Sequence, residues 1–304
     1  MVNLPHGVEL YDDSRAIPQN VIILVTGRAK SGKSFMASHV RRPLYYVMLD
    51  SHDNLKAAFA HAEESGFEGP IYILRVPVVR YSALTRERAQ EILDDIDKFA
   101  TWAKNQAAVA RLSGTPTGTF VIDGGQKLKG YVEKALLGES TTLGWRPGAG
   151  SSTNISTFDY AASNNALMDF FAGFANTPLD VVVTWEGRRK YIGRERTDIF
   201  ESKIPDALEY GLNATVETIM DLENVIVNNQ VVGKVAKPKI RIHYNGFNHN
   251  LIGRVVNGQT LDQLKELFGL PAEDTASIES HLEPIDHKPD EVSGPEGNIL
   301  DGTD

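Results

Sequence analysis

The stretch VIILVTGRAKSGKS, Val21 to Ser34, constrains this chain more than any other part of it. Its first six residues are β-branched or aliphatic in unbroken succession, which predicts a strand buried on both faces, as in a parallel sheet. The run passes into Gly27-Arg28-Ala29-Lys30-Ser31-Gly32-Lys33-Ser34, which fits the pattern GxxxxGK[ST] at every fixed position. Gly27 and Gly32 permit backbone conformations that a Cβ would block, so the amides from Gly27 to Phe35 can turn inward around phosphate oxygens. Lys33 supplies a compact positive charge for the β- and γ-phosphates, and the Ser34 hydroxyl suits Mg²⁺. Phe35 to Val40 is predicted as a helix whose N-terminal dipole adds to the attraction for anions. Strand, loop and helix in this order predict a nucleotide-binding P-loop.

At 41% apolar and 23% charged residues, the composition is that of a globular chain with a sizeable core. No apolar run approaches the ~20 residues of a membrane helix. Met1 to Asn20 has no signal-peptide pattern, so no membrane partner and a cytoplasmic location are expected. Cysteine is absent, which excludes disulfides and thiolate metal sites, and the eight histidines show no metal-ligand spacing. The charge is unevenly placed. Ten of the 40 acidic residues and one of the 31 basic ones lie in 272–304, so residues 1–271 carry 30 of each. That tail, poor in aromatics and rich in Pro, Gly, Glu and Asp, is expected to be disordered. It serves either as a solubilising segment or as an acidic competitor for a basic groove or a partner protein.

Hydrophobic patterning predicts a second strand at Leu44–Asp50, a helix at Asn54–Ser65 and a third strand at Ile71–Val76. A long helix follows at Thr85–Leu112, with its apolar stripe on Ile92, Ile96, Phe99, Ala103 and Ala107. Thr119–Asp123 is the fourth strand, Leu128–Leu137 a short helix and Gly138–Thr157 a long Gly/Ser/Thr-rich loop. A helix at Asp159–Ala175, with Asp159 as a cap, precedes a fifth strand at Leu179–Thr184. Trp185–Arg196, with five Arg or Lys, reads as a basic loop. Beyond Pro205 come short strands at 214–222, 225–232 and 239–244, and a small helix at 260–268. The expected organisation is a lead-in (1–20), an α/β core (21–222), an appended β-rich segment (223–271) and the tail (272–304).

The second chemical signal is Phe120-Val121-Ile122-Asp123, an apolar run ending in a carboxylate about ninety residues after the loop. In P-loop proteins a strand beside the P-loop strand ends this way, and its acidic residue joins Ser34 in holding Mg²⁺. Asp123 is assigned that part, with Asp50 as its rival.

The order of P-loop, LDSHDN, FVIDGGQKL and VVVTWEGRR resembles the RecA-like core of the P-loop superfamily. It is similar in particular to phage-encoded RecA-like ATPases linked to single-strand annealing and recombination. The resemblance spans roughly Val21 to Leu222, and only the P-loop within it is specific. It implies a mostly parallel sheet flanked by helices, with ATP and Mg²⁺ as ligands. It also implies a ring or filament of identical subunits. The family's water-polarising glutamate falls at His52 here, with Asp50 and Asp53 within a small shift. Thr184 and Glu186 fall where the family senses the γ-phosphate, and Glu186 is a second candidate for orienting water. The family's DNA-lining loops fall at Gly138–Thr157, with Trp145 and Arg146, and at Trp185–Arg196, with Tyr191. Arg188, Arg189, Arg194 and Arg196 either contact DNA phosphates or reach a neighbour's γ-phosphate. The implied function is ATP hydrolysis coupled to single-stranded DNA handling in recombination or replication. The alternatives are a small-molecule kinase, a non-hydrolysing ATP-binding assembly module and a DNA-packaging motor.

Overall fold

Alternation along the first strand sets the layers of the molecule. In β1 (Ile22–Gly27), Ile22 and Leu24 pack into one hydrophobic cluster, and Val21, Ile23 and Val25 pack into a second on the opposite face. A strand buried on both sides must lie inside a sheet covered by helices above and below. The computed structural model describes residues 20–50, 55–77, 79, 83–137, 157–192, 195–202, 212–227, 230–257, 260–270 and 282–283. For Leu137, 157–160, 188–202, 220–238 and 282–283 only the backbone is described.

After β1 come α1 (Lys33–Ser38), β2 (Leu44–Met48), α2 (Leu55–Glu64), β3 (Ile71–Arg75), α3 (Arg86–Leu112) and β4 (Thr119–Asp123). The chain continues through α4 (Gly125–Leu137), α5 (Thr157–Ala172), β5 (Asp180–Ile192), β6 (Glu195–Ser202), β7 (Ala214–Val227) and β8 (Gln230–Asn245). A 3₁₀ turn at His249–Leu251, β9 (Val255–Asn257), α6 (Leu261–Leu267) and the two-residue β10 (Leu282–Glu283) complete it. The sheet order is β3-β2-β4-β5-β1-β7-β8-β9-β10, with β6 paired to β5 outside that path. From β3 to β7 every pairing is parallel, and from β7 onward every pairing is antiparallel. The fold is therefore α/β with a mostly parallel sheet flanked by helices. Among the described residues no helix is long and apolar enough to cross a membrane.

Local chemistry accounts for the helix ends. The Thr85 hydroxyl accepts from the Arg88 amide and starts α3. On α3, Ile92, Ile96, Ala103 and Ala107 are buried as the stripe predicts, while Phe99 packs half-buried against the same cluster. Thr260 and Gln263 form a reciprocal capping box that starts α6. α5 begins at Thr157, so Asp159 lies inside its first turn and is not the cap. α1 is only six residues long: His39 Nδ1 donates to Phe35 O (2.8 Å) and the chain turns toward Pro43. Any anion attraction there rests on loop amides and Lys33 more than on a helix dipole.

Four expectations are corrected. The Asp123 strand is not beside β1, since β5 lies between them, pairing with both. Trp185–Arg196 is not a loop: β5 runs on to Ile192 and turns back as β6, giving an antiparallel ribbon. The β-branched and aromatic residues interleaved with its charges suit a strand, and the charge density had hidden them. Beyond Pro205 β7 and β8 are long while β9 and β10 are short, and β7 runs unbroken through Leu222 and Glu223. Its first residues pair parallel with β1, so this region continues the main sheet. Within the tail, Leu282–Glu283 is an edge strand on β9. The lead-in (1–19), Gly138–Ile155 with residue 156, and the rest of the tail lie outside the described residues.

Candidate functional site

The loop after β1 is shaped by contacts from β7 that the sequence does not announce. Gly27 has φ +148°, and a Cβ there would lie 2.5 Å from Ser31 Oγ and 2.8 Å from Thr218 O, so only glycine fits. Ser31 Oγ and Thr218 Oγ1 share a buried hydrogen bond of 2.6 Å, and Thr218 Oγ1 donates to Thr26 O at 3.2 Å. The strand beside β1 therefore grips the loop from the side away from β5. Gly32 is left-handed (φ 96°) as the N-cap of α1, and Lys30 is a left-handed non-glycine (φ 63°). Arg28, Ala29 and Lys30 are exposed; Gly32, Lys33, Ser34 and Phe35 are half-buried. Lys33 Nζ donates to Gly27 O (3.0 Å) and Arg28 O (2.7 Å). Burial pulls the Lys33 pKa below its ordinary value, against the opposing pull of Glu186, Asp123 and Asp50.

Asp123 ends β4 almost fully buried, at 2% exposure. Its Oδ1 accepts from Thr184 Oγ1 (2.6 Å) and, at 3.5 Å, from Ser34 Oγ; its Oδ2 accepts from Tyr46 OH (2.5 Å). Burial and the Asp123 charge push the Tyr46 phenol well above its ordinary pKa, so it acts as a fixed donor. The Thr184 oxygen also accepts from the Gly124 amide at 2.9 Å. One carboxylate thus links β4, β5, β2 and the first turn of α1. Hydroxyl and carboxylate oxygens are the donor set of a hard cation, and Ser34 and Asp123 fit Mg²⁺. Tyr46 and Thr184 fix the orientation of that carboxylate from behind.

Lys33, Ser34, Asp123 and Thr184 line one cleft of about 1130 Å³, together with Lys30, Asp50, His61, Lys127 and Glu186. Asp50 is ion-paired to Lys127, and Glu186 is hydrogen-bonded to Gln126. Of the two rivals for the metal, Asp123 meets Ser34 whereas Asp50 is engaged by Lys127. His52 and Asp53 lie outside the described residues, as do Trp145, Arg146 and Arg194. Arg188, Arg189 and Tyr191 lie on β5 and Arg196 on β6, beyond Glu186 in the chain.

Sequence reasoning missed Tyr46, Gln126, Lys127 and Thr218. Gln126 and Lys127 had a usable signal, since they directly follow two glycines at the carboxyl end of a core strand, where α/β sheets bind ligands. No protein-family model matches the chain, and no curated protein matches it either. Among solved structures it is similar to a KaiC-like protein from the hyperthermophilic archaeon Pyrococcus horikoshii OT3. The identity is 12%, over 79% of this chain and 86% of that one, with a TM-score of 0.36. Overlap of that extent says nothing of this chain's chemistry, which has to be read from its own side chains.

Proposed function

We propose that the chain binds ATP with Mg²⁺ and hydrolyses it, and that turnover drives the handling of single-stranded DNA in phage recombination or replication. The observation that carries this is the meeting of Ser34, Asp123 and Thr184 at the mouth of the glycine loop. The loop amides and Lys33 hold the phosphates. Ser34 and Asp123 would hold Mg²⁺, which when bound neutralises phosphoryl charge. Thr184 keeps Asp123 in place, and a carboxylate facing the cleft, Asp50 or Glu186, orients water; His52 and Asp53 are further candidates. Rate acceleration is positional and electrostatic.

Coupling to DNA is supported by continuity of the backbone. Thr184 and Glu186 belong to the same strand that carries Arg188, Arg189 and Tyr191 into the β5–β6 ribbon. Identical subunits in a ring or filament would bring these arginines to a neighbour's nucleotide, and the working location is the host cytoplasm. The test is phosphate release from Mg²⁺-ATP with and without single-stranded DNA, and release is expected to rise with DNA. Release only with a small acceptor would replace the proposal with a kinase; none at all would leave a non-hydrolysing module.

Two further outcomes are expected. Asp123→Asn lowers Mg²⁺-dependent turnover on the order of 100-fold, while ADP affinity measured calorimetrically without metal changes about threefold or less. That pattern in Asp50→Asn instead would move the metal site to β2. Truncation after Pro271 removes the net −9 tail and raises single-stranded DNA affinity several-fold at low salt, with little change at high salt. Fluorescence anisotropy across a salt series measures this, and equal binding at low salt would make the tail a solubility device.

A further inference from the structure

Of the three carboxylates that line the cleft, the first turn of α4 treats Asp50 and Glu186 differently. Glu186 is held by a neutral amide at two points: its N–H donates to Gln126 Oε1 at 3.1 Å, and Gln126 Nε2 donates to Glu186 Oε2 at 3.5 Å. Asp50 is held by a cation, because Lys127 forms an ion pair with its Oδ1 and also donates to Leu49 O at 3.1 Å. The turn is seated tightly between the strands that carry these acids. A Cβ on Gly125 would lie 2.6 Å from the Trp185 ring and 2.8 Å from Val183 Cγ1. Gly124, at φ +111°, lies against Leu49 and Asp50 on the other side. Adjacent residues of one turn thus reach β5 and the segment that follows β2.

The chemical consequences diverge. The Lys127 ammonium occupies the Asp50 carboxylate and competes with a water for it. A carboxylate held by a neutral amide gains a fixed direction, which is what a water-orienting group needs. We propose that Glu186 is the carboxylate that orients the attacking water, that Gln126 is its positioning residue, and that Lys127 withdraws Asp50 from that role. This rests on the ATPase function proposed above.

The experiment is steady-state Mg²⁺-ATP hydrolysis by the full chain, with ADP affinity and thermal unfolding measured on each variant. Glu186→Gln is expected to lose on the order of 100-fold or more in kcat, and Gln126→Ala about tenfold, both at nearly unchanged KM and ADP affinity. Asp50→Asn falls far less than Glu186→Gln. The double variant Q126E/E186Q restores a hydrogen-bonded pair with the carboxylate on α4 instead of β5; it should unfold like the parent yet stay as slow as Glu186→Gln. Recovery of activity in that double variant would make the pair merely structural and overturn the proposal. So would a neutral Gln126→Ala beside an Asp50→Asn as damaging as Glu186→Gln. A parent chain that releases no phosphate with or without DNA overturns the ATPase function itself, whereas a turning-over parent with indifferent Gln126→Ala overturns only this assignment.

Discussion

Lys33→Ala is expected to lower kcat/KM for ATP by about 100- to 1000-fold while leaving the fold intact. A charge-assisted hydrogen bond to phosphate is worth roughly 1.5–3 kcal/mol, and a preorganised donor at a developing charge about 3–4 kcal/mol, with each 1.4 kcal/mol a factor of ten. The side chain is half-buried at the loop and belongs to neither hydrophobic cluster. Its Nζ contacts are with carbonyls of its own loop, at Gly27 and Arg28, so its removal takes nothing from the core. Phosphate release and binding of a fluorescent ADP measure the effect, with thermal unfolding as the control for structure. Equal nucleotide affinity in variant and parent would refute the phosphate cradle.

The largest effect on stability is expected far from the cleft. Asp180 at the start of β5 is 1% exposed, and Lys265 of α6 is 3% exposed. Lys265 Nζ donates to both carboxylate oxygens, at 3.2 and 2.9 Å, and Asp180 Oδ1 also accepts from the Val21 amide at 3.0 Å. Burial pushes the Asp180 carboxyl above its ordinary pKa, and the nearby cations Lys265 and Arg41 pull against that rise. Lys265→Met leaves the carboxylate buried without its ammonium and should cost about 3–5 kcal/mol. For a chain of this size that lowers Tm by on the order of 10 °C. Adding Asp180→Asn removes the stranded charge while keeping an acceptor for Val21 N–H, and should return most of the loss. Urea unfolding of both variants checks this; a single-variant cost under about 1 kcal/mol would show that the pair does not tie α6 to the sheet.

Much of the core was legible because its signals are local. The unbroken apolar run before Gly27, the apolar run ending at Asp123 and the α3 stripe each follow from spacing along the chain. Thr260 before the last helix is equally local. Tyr46 and Thr218 were not legible, because their partners are set by sheet order and register. Tyr46 reaches Asp123 only because β2 lies beside β4, and Thr218 reaches Ser31 only because β7 lies beside β1. Nothing in a run of β-branched residues states which strand will be its neighbour. The same limit explains why the Asp123 strand was expected beside β1, whereas β5 lies between them.

β1 stops at Gly27, but both of its neighbours continue. Glu186 and Thr218 stand level with Gly27, after which β5 runs on to Ile192 and β7 to Val227. At about 3.3 Å per residue these extensions reach roughly 20 and 30 Å. The glycine loop therefore sits in the crotch of a two-pronged fork, and each prong has a hydroxyl at its root, Thr184 against Asp123 and Thr218 against Ser31. A lever of that length works in both directions. A tilt of about 5° at the root carries the longer tip by nearly 3 Å, on the order of the strand rise, and a load on either tip returns as torque on a hydroxyl touching the glycine loop or the aspartate beside it.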